Sequence, residues 1–225
     1  MHLILRRALF TTFAFAALVG AAASPASAQR REHGEPGKFD YYVLSLSWSP
    51  SFCETPAGAS ASEQCGARPF AFVVHGLWPQ YERGFPDSCQ VPPPRLDRRI
   101  VEEMLDLMPA RKLVYHEWDK HGTCSGLGQR EYFDTIRKAH TLVKIPAQFE
   151  HPQQTLTVAP GAVVDAFVKA NQGLATGGIA IDCDRRFLRE VRICLTRDLQ
   201  FRECSASAGR ACKTDKLVMP PVRGP

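Results

Sequence analysis

Eight cysteines constrain the fold of this 225-residue chain more than any other feature of its sequence. All of them lie after residue 50, behind an apolar, alanine-rich segment near the start of the chain. An even number of cysteines behind a secretory leader is typical of a disulfide framework formed in an oxidising compartment. Zinc binding is the alternative, but the sequence contains no C-x-x-C pair. The cysteines therefore predict four disulfides in a periplasmic or secreted protein.

The first 28 residues have the pattern of a signal peptide. Arg6 and Arg7 precede an apolar run over residues 8–23, and residues 26–28 (A-S-A) match a cleavage site. The run is about 16 residues long, which is short for a membrane span, although an uncleaved anchor is the alternative. We predict cleavage after Ala28, leaving residues 29–225 as one domain without membrane contact. Its net charge falls from +5 to +3, which is compatible with a polyanionic partner.

Residues 116–121 concentrate ionisable side chains in the sequence H-E-W-D-K-H. A helix turns about 100° per residue, so that one of its faces would carry four of them, namely His116, Glu117, Lys120 and His121. Trp118 points away from that face and is predicted to anchor the helix in the core. The cluster is therefore a candidate site.

Three interpretations of this cluster are open. A zinc protease motif places its two histidines four residues apart, whereas here the spacing is five and a lysine lies between them. A solvated helix face is the ordinary structural interpretation of a charge run. The third is metal-free acid–base chemistry on an anionic substrate, with histidines moving protons and lysine stabilising negative charge. We favour the third and predict no metal and no cofactor.

The order of the predicted elements indicates an α+β fold. Aromatic, β-branched and alternating segments predict strands over residues 39–48, 70–74, 179–183, 188–195 and 199–204. Apolar stripes predict helices over residues 98–108, 130–144 and 160–171, besides the charged helix. Residues 53–65 are predicted to form a surface loop, and the tail from residue 205 is polar and proline-rich. The sequence therefore predicts a central antiparallel sheet with packed helices, held together by four disulfides.

A further histidine, His75, follows the strand over residues 70–74. The residues after it, Gly76 and Pro79 among them, predict a turn. A lone histidine at a strand end is usually structural. Here the strand leads into a predicted loop, where site residues are common, so we include His75 in the candidate site.

Two segments, residues 75–79 (H-G-L-W-P) and 116–124 (H-E-W-D-K-H-G-T-C), together resemble the active-site segments of the ribonuclease T2 family. Residues 44–50 (L-S-L-S-W-S-P), with Cys53 after them, resemble the family's opening strand. Residues 188–194, with the pattern Leu188-x-Glu190-Val191-x-x-Cys194, also fit. The resemblance covers residues 39–212, which is most of the predicted mature chain.

The resemblance implies a metal-independent endoribonuclease that cleaves single-stranded RNA, with low base specificity. The 2′-oxygen attacks phosphorus to give a 2′,3′-cyclic phosphate and then a 3′-phosphate, so DNA is not a substrate. By similarity His121 is the general base, His75 is the general acid and His116 binds the phosphate. Glu117 and Lys120 support the charged transition state.

Similarity also supplies the substrate-binding residues and the disulfide pairing. Trp78 could stack on a base or belong to the core, and Gln80 occupies a position that contacts a base in some relatives. The implied pairs are Cys53–Cys65, Cys89–Cys124, Cys183–Cys212 and Cys194–Cys204. We expect a monomer. The alternative functions are a secreted RNA-binding or partner-binding module, which the intact histidines disfavour, and a secreted metallohydrolase, which the spacing disfavours.

Overall fold

A four-stranded antiparallel sheet forms the centre of the computed structural model. In spatial order its strands are β2 (Phe72–Gln80), β1 (Tyr41–Trp48), β5 (Leu188–Leu195) and β4 (Ile179–Cys183). A second, two-stranded sheet pairs β3 (Leu156–Val158) with β6 (Leu217–Met219). The α+β fold with a central antiparallel sheet is therefore confirmed. Strand β6 lies in the polar, proline-rich tail, where we had predicted no strand.

The structure describes residues 34–66, 69–209 and 212–222. They belong to one compact unit that spans residues 33–225. The predicted signal peptide, residues 1–28, and its cleavage site lie outside the described residues. Within those ranges no helix is both long enough and apolar enough to cross a membrane.

Three short helices and four longer ones connect the strands in the described part of the chain. The short ones are α1 (Ser49–Cys53), α2 (Pro56–Ala59) and α3 (Ser62–Cys65). The longer ones are α4 (Arg98–Met104), α5 (Arg111–Lys120), α6 (Gln129–Leu142) and α7 (Pro160–Ala170). Single 3₁₀ turns cover Gly122–Cys124, Ala147–Phe149, Thr176–Gly178 and Ala206–Ala208. Residues 53–65, predicted as a loop, therefore contain helical turns.

Helix α4 begins as predicted but ends before Met108. The Asp97 side chain accepts a hydrogen bond from the Arg99 backbone N–H at 2.8 Å and caps the helix start. At the other end the Leu107 carbonyl accepts a hydrogen bond from the Val74 N–H of β2 at 2.9 Å. Residues 105–108 continue as turns, with the Met108 N–H donating to the Met104 carbonyl at 2.8 Å, and the contact between Val74 and Leu107 ties them to the sheet.

The two faces of the central sheet have different environments. The first face packs against the helices, and its buried residues include Leu44, Leu46, Trp48, Val74, Leu77, Val191 and Ile193. Burying each such side chain contributes roughly 1.5–3 kcal/mol. The second face carries Tyr41 and Val43, against which Trp78 and Cys204 pack. This second face leads to the candidate site.

Strand β2 does not turn after residue 74, so our prediction of a turn there was wrong. Pro79 pairs opposite Tyr42, and proline is tolerated because β2 is an edge strand whose outer N–H groups need no partner. The register shifts by one residue at His75, since Ser45 pairs with Gly76 and Leu46 pairs with Val74. His75 therefore sits in a β-bulge, a feature that redirects side chains.

The predicted strand over residues 199–204 was also wrong. This segment folds back beside β5, but it forms only an isolated bridge between Leu195 and Phe201. The backbone of Arg202 also donates to the Cys194 carbonyl at 3.1 Å. Leu199 has a positive φ of 60°, which belongs to a tight turn and not to a strand.

Four disulfides join the described cysteines. They are Cys53–Cys65, Cys89–Cys124, Cys183–Cys212 and Cys194–Cys204, the same four pairs that the resemblance implied. Cys89–Cys124 joins the loop after β2 to the turn that follows α5. The Ser88 N–H also donates to the Lys120 carbonyl at 2.9 Å, so two bonds hold the loop against the end of α5.

Candidate active site

One cavity brings together every side chain predicted for the site. It measures about 330 Å³, which is at the lower end of the volumes that hold small ligands. The predicted residues that line it are His75, Trp78, Gln80, His116, Glu117, Lys120 and His121. Phe85, Arg192, Ser207 and Ala208 complete the lining, and sequence reasoning had assigned none of these to the site.

Strand β2 supplies the first wall of the cavity. Its bulge places His75 and Gly76 opposite the single residue Ser45, on the side of the sheet that carries Trp78. A side chain at Gly76 would have no room, since an added Cβ would lie 1.9 Å from Glu117 Oε2. Glycine at this position therefore lets the carboxylate of α5 approach the strand.

Trp78 connects the two walls of the cavity. Its Nε1 donates a hydrogen bond to Glu117 Oε2 at 2.8 Å. Its ring stacks on His121, with centroids 5.4 Å apart and an interplanar angle of 29°. The Arg192 guanidinium also lies 5.2 Å from the ring centroid. Trp78 is thus partly buried and organises the site, and it is not simply a core residue.

Helix α5 supplies the second wall, with Glu117 at its centre. This glutamate is 1% exposed, and its Oε1 lies 3.6 Å from His75 Nε2. Burial raises the pKa of Glu117 to about 7, although His75, Trp78 and Lys120 act to lower it. The carboxyl group therefore changes its charge within the ordinary working range of pH.

His121 lies one residue beyond the end of α5 and is buried. Its backbone N–H still bonds to the Glu117 carbonyl at 3.0 Å, which continues the helical turn. Burial lowers its pKa to about 2, and the nearby charges of Lys120, His75 and His116 act in the same direction. His121 is therefore neutral over the working range of pH, and its Nδ1 has no hydrogen-bond partner within the described residues.

His75 has the opposite electrostatic environment. Its Nδ1 lies 2.5 Å from Glu190 Oε1, and its side chain is 34% exposed. Burial alone would lower its pKa, but the hydrogen bond and charge of Glu190, together with the charge of Glu117, outweigh burial and raise it. The cavity thus holds one histidine that favours the charged form and one that favours the neutral form.

His116 and Lys120 form the more open side of the cavity. Burial lowers the pKa of His116, and the charges of Lys120 and His75 lower it further, against the opposing effect of nearby aspartates. Lys120 Nζ lies 5.9 Å from the centroid of the exposed Phe85 ring. This part of the site can present an ammonium group and an imidazole to an anion.

Glu190 and Arg192 are the charged site residues that sequence reasoning missed. Both lie on the second face of β5, where Glu190 pairs opposite Ser47 and Arg192 opposite Ser45. The sequence could have indicated them, because Glu190 and Arg192 are oppositely charged and lie two residues apart on a strand whose other residues are largely apolar. The resemblance included Glu190 in a motif without giving it a role.

The described residues contain no group of three or more His, Cys, Asp or Glu side chains arranged to hold a metal ion. The cavity holds three histidines and Glu117, which contacts His75 and Trp78. The adjacent Glu190 contacts Ser47, His75 and Arg192. What the cavity can support chemically is proton transfer between histidines beside a positively charged group.

Comparison with known sequences gives the family of the chain. The sequence model of the Ribonuclease T2 family matches residues 39–204. A ribonuclease of Aeromonas hydrophila is 41% identical over 170 residues, which cover 73% of this chain and 75% of that protein. Ribonuclease DdI of Dictyostelium discoideum is 28% identical over 200 residues, which cover 80% and 85% respectively.

Solved structures show the same fold. An RNase-related protein from Calystegia sepium shares the fold, with a TM-score of 0.67 at 22% identity over 85% of this chain and all of that one. RNase NT, solved in complex with 5′-AMP, has a TM-score of 0.60 at 25% identity over 81% and 98% of the two chains. The chain therefore belongs to the ribonuclease T2 family, and it is an endoribonuclease of the T2 type.

Proposed function

We propose that the chain cleaves single-stranded RNA by transphosphorylation, without a metal ion and with low base specificity. The observation that carries this proposal is that one cavity holds two histidines whose pKa values are shifted in opposite directions. The pKa of His75 is raised and that of His121 is lowered. An acid and a base must be available at the same pH for this reaction. Environments that separate two pKa values in this way are typical of acid–base pairs.

In the first step His121 removes the proton of the 2′-hydroxyl. The 2′-oxygen then attacks phosphorus, the bond to the 5′-oxygen breaks, and His75 gives its proton to that leaving oxygen. The product is a 2′,3′-cyclic phosphate. A pKa of about 2 makes His121 a weak base in the free enzyme, but a bound phosphate brings negative charge that raises the pKa towards working pH.

The second step opens the cyclic phosphate with water and reverses the two roles. His75, now neutral, takes a proton from water, and His121 returns its proton to the 2′-oxygen, which gives a 3′-phosphate. His116 and Lys120 bind the phosphate and offset its growing charge. Glu117, when protonated, can donate a hydrogen bond to a phosphate oxygen.

Trp78 and Gln80 are assigned to the bases next to the phosphate because both residues line the cavity. The exposed part of the Trp78 ring offers a surface for stacking, which tolerates any base. Gln80 lines the cavity, is 4% exposed, and its Oε1 has no hydrogen-bond partner in the described chain. We assign both to base binding. DNA would bind through its phosphates without being cut, since it lacks the attacking hydroxyl.

The decisive experiment is a time course on an oligoribonucleotide with one 2′-deoxy residue, read by mass spectrometry. We expect cleavage at every site except the phosphate 3′ to the deoxy residue, with the cyclic phosphate appearing before the 3′-phosphate. Added chelator should leave the rate unchanged. Cleavage at the deoxy position, or products with 5′-phosphate ends, would instead indicate a nuclease that activates water.

A further inference from the structure

Glu190 is buried, and both of its carboxylate oxygens have partners. It lies on the central strand β5 and is 7% exposed. Oε1 faces His75 Nδ1 at 2.5 Å and Ser47 Oγ at 3.4 Å. Oε2 accepts a hydrogen bond from Arg192 Nε at 2.8 Å and forms an ion pair with Arg192 Nη2 at 2.7 Å. Because Arg192 holds one oxygen and His75 and Ser47 hold the other, the carboxylate is fixed in one orientation.

The charge of Glu190 decides which nitrogen of His75 carries a proton. Burial would raise the pKa of Glu190, but His75 and Arg192 outweigh burial and hold it at about 2. An ionised carboxylate can only accept hydrogen bonds, so His75 Nδ1 must donate in both protonation states. The exchangeable proton is then on Nε2, which faces Glu117 at 3.6 Å in the cavity.

We propose that Glu190 is a positioning residue for His75, which it holds with Nδ1–H towards β5 and with Nε2 towards the scissile phosphate. This inference rests on the proposed function in assigning the general acid to His75. Glu190 touches neither substrate nor reacting atoms, because Ser47, His75 and Arg192 occupy its oxygens. Its action on the reaction passes through the imidazole.

The contribution of Glu190 can be separated from those of the other groups around His75. Burial and Arg192 favour neutral His75, whereas Glu190 and Glu117 favour the charged form. His116 and His121 interact with it from the other wall. Among the causes that keep His75 protonated, the hydrogen bond and charge of Glu190 come before the charge of Glu117.

The sheet supplies a matched control at Asp182. This aspartate of β4 pairs opposite Glu190 and lies 3.6 Å from Arg192 Nη2. It shares the arginine partner of Glu190 but forms no hydrogen bond or ion pair with His75 among the contacts of the described residues. Asp182→Asn therefore removes a carboxylate from the same arginine without removing the contact with His75.

The experiment compares wild type, Glu190→Gln and Asp182→Asn, with ¹⁵N-labelled histidine followed by NMR across pH and with kcat and KM measured across pH. In wild type we expect neutral His75 to carry its proton on Nδ1. In Glu190→Gln we expect its pKa to fall by about one unit or more, as for loss of a contacting opposite charge. Asp182→Asn should leave the pKa within a few tenths of wild type.

Activity provides a second measurement of the same effect. The alkaline limb of the rate profile should move to lower pH in Glu190→Gln, with kcat reduced roughly 10- to 100-fold and KM nearly unchanged. A purely structural role would lower the melting temperature without moving His75. An unchanged His75 pKa in folded Glu190→Gln, or an equal shift in Asp182→Asn, would overturn the proposal.

Two further outcomes remain decisive. If Glu190→Gln fails to fold, the wild-type spectrum alone decides, because a proton on Nε2 of neutral His75 contradicts the assignment. If wild type makes no cyclic phosphate, the proposed function fails, whereas the NMR titration still tests whether Glu190 orients His75. The two failures are therefore distinguishable.

Discussion

Three histidines share one cavity, and their neighbours give each a different proton affinity. His75 contacts two carboxylates, His121 is buried beneath the Trp78 ring, and His116 lies beside Lys120. The same side chain can therefore act as an acid, a base and an anion ligand within one site. The differences arise from contacts that span distant parts of the chain.

Removing these histidines one at a time should have unequal effects. Replacing His75 or His121 with alanine removes the proposed proton donor or acceptor and should lower kcat roughly 10³-fold. His116→Ala removes the proposed phosphate contact and should leave more activity, with a loss of about tenfold to a hundredfold. Initial rates on a dinucleotide, with circular dichroism as the folding control, measure this. A folded His121→Ala variant that kept most of its rate would refute the assigned base.

The buried, neutral His121 should also make the fold sensitive to acid. Its pKa is about 2 in the folded state against 6.5 in the unfolded chain, so below about pH 6.5 the unfolded chain binds a proton that the folded state does not. Stability contributed by His121 is therefore present at neutral pH and lost as the pH falls. His121→Gln lacks this titration.

Between pH 6 and pH 4 we expect the free energy of unfolding of wild type to fall by about 2 kcal/mol more than that of His121→Gln. Urea unfolding at each pH measures the difference. His116→Gln is the control, since His116 is more exposed and should change the slope less. Parallel slopes for wild type and His121→Gln would contradict a buried, neutral His121.

Prediction from sequence was effective for residues that are close together along the chain. The helix face over residues 116–121 could be placed from periodicity alone, and the resemblance added His75, Trp78 and Gln80. Glu190 could not be found in this way, because it lies 115 residues from His75 and meets it only through the strand order of the sheet. The pKa shifts follow from burial at Glu117 and His121 and from the contact between His75 and Glu190, neither of which periodicity measures.

At the scale of elements, the site depends on how β2 and α5 are joined. The Tyr132 hydroxyl of α6 donates to the Leu77 carbonyl of β2 at 2.9 Å, which fixes the strand from within the core. Cys89–Cys124 and the bond between Ser88 and Lys120 fix the loop from outside. Both elements are therefore held close to the cavity that they line.

Removing the Cys89–Cys124 disulfide should affect both stability and activity. The bridge spans 35 residues, and Cys53–Cys65 spans 12, so chain entropy predicts losses of about 4 and about 3 kcal/mol respectively. Only the first pair adjoins the site. We expect Cys89→Ser/Cys124→Ser to lower kcat/KM in folded protein, while Cys53→Ser/Cys65→Ser leaves it near wild type. Equal activity in the two double variants would argue against a role in positioning the site.

Element boundaries were predicted well where periodicity was continuous and poorly where tertiary contacts decided. Strands β4 and β5 have the predicted limits. The sequence after His75 predicted a turn because glycine and proline are turn residues, yet pairing with β1 keeps it extended. Strand β6 was missed because three residues in a polar tail give no pattern until β3 lies beside them.

At the scale of the whole molecule, four disulfides join helical turns, loops and strands of the central sheet, which is consistent with secretion. We propose that residues 1–28 direct export to the periplasm or medium and are then removed. Expressed with these residues in a bacterium that exports proteins, the product should begin at Gln29 and have lost eight hydrogens relative to its reduced form. Intact mass spectrometry with and without reductant measures both. A product that retained residues 1–28, or free thiols, would contradict this.

The bulge at His75 has a consequence for anyone who wishes to transplant this chemistry. Before the bulge, every second residue of β2 faces the core, and Val74, opposite Leu46, is one of these residues. After the bulge the alternation is inverted, so that Leu77 faces the core opposite Leu44 although it lies three positions after Val74, an odd number. A graft of H-G-L-W-P onto a regular strand would therefore bury either the imidazole or the indole. The motif can therefore be transferred only as a β-bulge, with the extra residue His75 in the strand and a small residue such as Ser45 opposite it.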